Sequence, residues 1–332
     1  MSAVAVLGAG SWGTTLAALL AGRGTSVRLW AYEAEVVESI NHAHENHLFL
    51  PGVALPASLT AVTDPLEAVL GARLVISASP SHAVRAVARR VAEGVTPGAL
   101  VVSATKGIET DTLALMSQVY RDTVPGSRFV ALSGPSFALE VAQGQPTAVV
   151  AAAKDAGAAL EAQRLLATPT FRVYSGSDVV GVELAGALKN VIAIAAGILE
   201  GLGLGHNPRA ALITRGLAEI TRLGLAMGAD PLTFAGLAGM GDLVLTATGG
   251  LSRNRALGVA IGQGETLQRY QATHRTVAEG ANTSRAGVAL GRRHGVELPI
   301  IGKVCEVLFE GKPAREAVPE LMERELKAEQ WR

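Results

Sequence analysis

Two kinds of hydrophobic spacing divide the chain. Up to about residue 176, short apolar runs of β type alternate with stretches of helical period, and beyond it only the helical period remains. The runs predict strands over 3–7, 26–30, 73–79, 99–103, 129–132, 147–153 and 170–174. Between them the pattern predicts helices over 14–24, 33–46, 81–92, 137–144 and 154–166, with HLFLPGVALP as an extended surface loop. Strands alternating with helices build a doubly wound parallel sheet. The second half predicts helices over 181–205, 208–227, 252–261, 279–294, 300–309 and 319–330. The expected architecture is α/β, with a sheet domain on 1–176 followed by an all-α domain on 177–332.

One helical stretch breaks its own pattern. GVELAGALKNVIAIAAGILEGLGLG is apolar nearly all the way round, as a buried helix is, yet it carries Lys189 and Asn190 at its middle. Lysine is almost never fully buried unless paired. Glu183 lies seven residues before Asn190, so a polar stripe returns to one face after two turns. Either Lys189 snorkels to solvent over apolar neighbours, or a site needs a cation there.

The N-terminus supplies a second feature. The first strand runs directly into Gly8-Ala-Gly10-Ser-Trp-Gly13 and then into a helix. In a Rossmann-type unit the first glycine makes the tight turn, the second lets a pyrophosphate approach the backbone, and the third lets helix pack on strand. The phosphate then meets free N–H groups at the helix start. The second strand ends in Ala31 and Tyr32, with Glu33 just beyond. No acid stands at the strand tip itself, so the ribose 2′ position is open to a hydroxyl or a phosphate, and the cofactor is NADP or NAD.

Other strand ends carry polar groups. The strand 99–103 runs into Ala-Thr-Lys106-Gly, which faces either a ligand at the carboxyl edge of the sheet or plain solvent. The strand 129–132 ends in Ser133-Gly134-Pro135-Ser136, where either serine could cap the next helix. In the helical half, Asp242 stands among glycines in AGMGDL as a candidate N-cap or site acid. Ser252 is a candidate N-cap followed by Arg253 and Asn254, and positive charge in a first helical turn opposes the helix dipole. A bound phosphate would reverse that balance.

Charge narrows the partner classes. Lys plus Arg and Asp plus Glu are both 29, with no run of like charge, so a small molecule is favoured over nucleic acid. The uncharged stretch 1–22 is broken near its start by three glycines and has no preceding Lys or Arg, so neither export nor membrane insertion is expected. The single cysteine, Cys305, cannot form an internal disulfide and fits a reducing, cytoplasmic setting. His42, His44 and His47 lack paired acids or cysteines at ligand spacing, so no metal is expected.

GAGSWG, ATKG, SGPSFALE, GVELAGALKNVIAI, AGMGDLVLT, SRN and VAEG, in this order across nearly the whole chain, closely resemble the bacterial NAD(P)-dependent glycerol-3-phosphate dehydrogenases. The resemblance implies reversible reduction of dihydroxyacetone phosphate to sn-glycerol 3-phosphate, supplying glycerophospholipid synthesis. It implies Lys189 as the catalytic acid/base. Lys106, Gly134, Ser136, Lys189, Asp242, Ser252, Arg253 and Asn254 are implied as substrate contacts. Gly8, Gly10, Ser11, Trp12, Gly13, Tyr32, Lys106, Ala138, Arg253, Val277 and Glu279 are implied as cofactor contacts. It leaves a homodimer open. Two rival readings fit the same residues: a β-hydroxyacid dehydrogenase acting on a carboxylate, and a nucleotide-sensing protein without catalysis.

Overall fold

The structure is a computed structural model and describes residues 4–274, 278–326, 328 and 329. The chain divides into two compact units, one of residues 1–106 and 114–182, the other of 107–113 and 183–332.

The first unit is built on eight strands: β1 Val4–Leu7, β2 Val27–Trp30, β3 Leu59–Val62, β4 Leu74–Ser77, β5 Leu100–Ser103, β6 Arg128–Ser133, β7 Thr147–Ala152 and β8 Phe171–Gly176. They lie in the order β3-β2-β1-β4-β5-β6-β7-β8, parallel throughout except for the β6–β7 pair. Its helices are α1 Ser11–Ala21, α2 Ala34–Ala43, α3 Pro65–Val69, α4 Val84–Val91, α5 Met116–Thr123, α6 Ala138–Ala142 and α7 Ala156–Leu166. Strand order reverses between β1 and β4, the switch point at which open α/β sheets bind ligands beyond the strand ends.

Both faces of the sheet are covered. Val4 and Val6 pack with Val27, Leu29, Leu16 and Leu20 on one face, while Ala5 and Leu7 pack with Val75, Val101, Val84 and Tyr120 on the other. Parallel strands buried on both faces read as unbroken apolar runs, which is why VAVL and LVVS are legible as strands.

The second unit is helical. The boundary falls inside the first turns of α8 Val179–Gly201, which is followed by α9 His206–Ala226, α10 Pro231–Ala235, a π-helical turn at Leu237–Gly241, α11 Asp242–Thr248, α12 Arg253–Gly262, α13 Leu267–Thr273, α14 Glu279–His294, α15 Pro299–Phe309 and α16 Ala314–Met322. Among the described residues α8 is the one helix long and apolar enough to cross a bilayer. Its side chains from Leu184 to Ala196 are instead buried in protein, so it is a core helix.

Several elements differ from the sequence pattern. β3, α3 and α5 are absent from it: four or five residues leave too little periodicity to register, and the eight of α5 are largely polar. The last helix begins after Pro313 and carries Pro319 inside it, so the expectation of a helix from 319 to 330 took the wrong proline as the starting residue. Neither Ser133 nor Ser136 caps α6; its N-cap is Phe137, and the Ser136 hydroxyl turns back to the Gly134 carbonyl at 2.9 Å.

Candidate functional site

In the first unit the glycine turn is held from three sides. Gly8 follows β1 at φ +112, a region that favours glycine, and its N–H donates to the Trp30 carbonyl at 3.1 Å. A Cβ on Gly8 would lie 2.9 Å from the Ala78 carbonyl carbon beyond β4, and one on Gly13 would lie 1.9 Å from the Gly8 oxygen. Around Gly10, by contrast, a Cβ would meet nothing within 4 Å. Two glycines are therefore demanded by packing, and the third opens onto free space beside the α1 N-terminus. That terminus has no side-chain cap, so its N–H groups remain available to an anion.

Side chains fix this loop from behind. Asn46 is fully buried, and its Nδ2 donates to the Ala9 carbonyl and to Thr14 Oγ1, each at 2.8 Å, while its Oδ1 accepts the Phe49 N–H at 3.0 Å. Ser11 Oγ donates to the Phe49 carbonyl at 2.6 Å, and Thr15 Oγ1 to the Ala138 carbonyl at 3.1 Å. Trp12 turns its ring toward Phe171, with centroids 6.2 Å apart, so it serves the core with its ring.

Farther along the sheet edge, Lys106 Nζ donates to the Gly134 carbonyl at 3.1 Å. Gly134 has φ +148, and a Cβ there would fall 2.8 Å from Val149 Cα. The SGPS turn is thereby pressed against β7 with its carbonyl facing the lysine. Lys106, Gly134 and Ser136 form one group, as their shared oxygen requires.

In the second unit Lys189 is 5% exposed at the middle of α8. Its Nζ donates to Asp242 Oδ1 at 2.7 Å and to Thr246 Oγ1 at 2.5 Å. The Thr246 hydroxyl in turn donates to the Asp242 carbonyl at 2.7 Å, so residues one helical turn apart on α11 hold the ammonium between them. Asp242 follows the π-helical turn directly and makes no N-cap bond. The AGMG segment is thus wound rather than looped, and the acid is aimed at a lysine instead of at its own backbone.

A second polar relay starts at the neighbouring residue. Asn254 Nδ2 donates to Asn190 Oδ1 at 3.0 Å, and Asn254 Oδ1 accepts the Gly280 N–H at 2.9 Å. α8, α12 and the first turn of α14, which begins at Glu279, are joined by these two buried amides. Ser252 caps α12 by accepting the Arg255 N–H at 3.2 Å. Arg253 is then the first residue of that helix and is exposed. Surrounding protein strips enough water from its guanidinium to lower its pKa, and Glu279 acts the other way.

Known proteins match the chain over both halves. The model of the NAD-dependent glycerol-3-phosphate dehydrogenase N-terminus matches residues 3–159, and that of the C-terminus matches 178–319. The chain is 57% identical over 331 residues to the glycerol-3-phosphate dehydrogenase (NAD(P)+) of Geobacter sulfurreducens, covering 99% of both chains. It is 57% identical over 329 residues to that of Geobacter metallireducens, covering 98% of both.

The chain belongs to the NAD-dependent glycerol-3-phosphate dehydrogenase family.

The crystal structure of the glycerol-3-phosphate dehydrogenase from Coxiella burnetii superimposes on this family member with a TM-score of 0.94 at 39% identity, over 97% of this chain and 99% of that one. The Rossmann-type sheet and the helical second half are features of the family fold. Of the residues picked out in the sequence, Gly8, Gly10, Ser11, Trp12, Gly13, Tyr32, Lys106, Gly134, Ser136 and Ala138 lie in the first unit, and Lys189, Asp242, Ser252, Arg253, Asn254 and Glu279 in the second. Val277 lies outside the described residues. Two side chains of these clusters carried no signal in the sequence: Thr246, one of many threonines until its spacing of four from Asp242 is read as one helix, and Asn46, the last residue of the expected helix 33–46, which the structure places beyond the end of α2 at Ala43.

Proposed function

We propose that this chain reduces dihydroxyacetone phosphate to sn-glycerol 3-phosphate with NAD(P)H, reversibly, and feeds glycerophospholipid synthesis. The observation that carries the mechanism is the buried Lys189 ammonium held by Asp242 and Thr246. The glycine turn fits a dinucleotide, since Gly10 leaves open the space that a side chain would fill beside the uncapped start of α1. When bound, the nicotinamide supplies the hydride to the C2 carbonyl, or takes it up in the reverse direction.

The chain's own residues supply the rest. Negative charge grows on the carbonyl oxygen as the hydride arrives, and a preplaced cation lowers the energy of that state without reorganising. Lys189 Nζ is that cation and delivers the proton to the oxygen. Asp242 and Thr246 restrict the ammonium to one position, which gives the oxygen a fixed partner. Arg253, exposed at the first position of α12, is assigned to the substrate phosphate, with Asn254 held in place by Asn190. Binding energy gained at the phosphate then positions the carbonyl. Lys106, Gly134, Ser136 and Ser252 are assigned to the substrate as well. Ser11, Trp12, Tyr32, Ala138, Val277 and Glu279 are assigned, with Lys106 and Arg253, to the cofactor. A cytoplasmic setting is supported by the single half-buried cysteine.

The test is loss of NADH or NADPH absorbance on adding dihydroxyacetone phosphate. Turnover with that ketone and none with a β-hydroxyacid or its keto acid supports the reading. The opposite pattern defeats it, and binding of nucleotide without turnover of either substrate points to a sensor.

A further inference from the structure

The tip of β2 carries groups that the fold does not use. Tyr32 is 84% exposed. Glu33 is the N-cap of α2, but its carboxylate accepts nothing from the first turn and stands half-exposed with no ion pair among the described residues. It comes twenty residues after Gly13, the interval at which a dinucleotide fold places the acid that holds the ribose 2′-hydroxyl. The tip also adjoins the glycine turn directly, through the Gly8 N–H bond to Trp30.

The charge around this tip has one sign. Glu35 and Glu38 follow on the exposed side of α2, and no Lys or Arg occurs between Arg28 and Arg73. Arg28 itself donates to the Leu70 carbonyl. Arg90 reaches the end of β3 but is bonded to Asp64 Oδ1 at 3.0 Å. The three histidines of the segment come at or beyond the last turn of α2, where His44 is its C-cap. A phosphate dianion at the 2′ position would therefore face a carboxylate with no Lys or Arg of this segment beside it, whereas a hydroxyl could donate to that carboxylate.

We propose that this chain selects NAD(H) over NADP(H), and that Glu33 is the residue that sets the preference. The inference rests on reading the glycine turn as the dinucleotide cradle. It is tested by equilibrium binding, with NADH and NADPH titrated separately and followed by tryptophan fluorescence quenching and calorimetry. Wild type binds NADH at least about tenfold more tightly than NADPH, as the gain or loss of one charge-assisted hydrogen bond implies. Glu33→Gln weakens NADH and strengthens NADPH, so that the ratio collapses toward one. Tyr32→Arg, at a solvent-facing side chain, strengthens NADPH. Glu38→Gln, farther along the same helix, leaves the ratio within about twofold because an exposed distant charge is screened. Equal or tighter binding of NADPH by wild type overturns the proposal, as does a ratio unmoved by Glu33→Gln. Either result, with dihydroxyacetone phosphate still driving oxidation of a bound cofactor, leaves the proposed reaction standing; binding of neither cofactor removes both.

Discussion

The Lys189 ammonium is held 2.7 Å from Asp242 Oδ1 with both side chains almost wholly out of water. Each charge makes the other tolerable in that setting, so deleting one leaves an uncompensated buried ion that costs about 3–5 kcal/mol. Lys189→Met should therefore lose turnover by about 10²–10⁴-fold, the usual weight of a placed acid, and should also lower stability. Adding Asp242→Asn should restore much of the stability while activity stays lost. Steady-state turnover and chemical denaturation of both variants check this. Recovery of turnover in the double variant would remove Lys189 from the chemistry.

Arg253 stands at the first position of α12, where the helix dipole disfavours a cation, and its neighbour Ser252 already caps the helix. The arrangement becomes favourable with a phosphate at the same helix end. Arg253→Ala should reduce kcat/KM for dihydroxyacetone phosphate by about 10–100-fold, the loss of one or two charge-assisted bonds. It should leave the melting temperature of the apo protein unchanged or slightly raised. The companion measurement is turnover of dihydroxyacetone: an equal loss with that phosphate-free ketone defeats the assignment.

The sheet half was legible because β1, β4 and β5 are apolar on both faces and end in turn-forming residues, which leaves few alternatives for VAVL, LVIS and LVVS. Lys189 was legible for the opposite reason, as a charge where the pattern demands none. What the pattern hid is what tertiary contacts decide. Asp242 looks like a cap until its carboxylate is seen on Lys189, and the winding of AGMG into a π turn has no periodicity to reveal it. Thr246 and Asn46 act through partners 57 and 32 residues away, which no local window contains.

α8 and α12 meet backbone to backbone. Gly197 and Gly201 face Gly258 and Gly262 at matching four-residue spacing, and a Cβ on Gly258 would fall 2.1 Å from the Ile194 oxygen. No side-chain rotation relieves that clash, so Gly258→Ala should destabilise the protein by at least about 1–3 kcal/mol, the cost of overpacking. Gly302→Ala, inside α15 with nothing within 4 Å of the new methyl, should be neutral or stabilising by up to about 1 kcal/mol. Urea denaturation of the two variants separates steric from conformational effects. Equal stability of both would mean that the α8–α12 contact yields more easily than its geometry implies.

Glu219, 2% exposed on α9, accepts the Ile300 N–H at 2.8 Å and the Ile301 N–H at 3.3 Å, holding the start of α15. Burial pushes its pKa up from 4.5 to about 7, while the two N–H bonds and the Arg222 and Arg324 charges pull the other way without cancelling the effect. Between those pH values the folded protein holds a proton that the unfolded chain has released, so stability falls as pH rises from about 4.5 to about 7. The loss across that window is on the order of 3 kcal/mol, at about 1.4 kcal/mol for each unit. Glu219→Gln keeps an oxygen for Ile300 and removes the ionisation, so its stability curve should be flatter through that window and should lie above wild type at pH 8. Glu219→Ala leaves both N–H groups without an acceptor and should be less stable than the glutamine variant at every pH. Denaturation midpoints at half-unit steps from pH 5 to 8 check the slope. A glutamine variant that keeps the wild-type slope would assign the dependence to other groups.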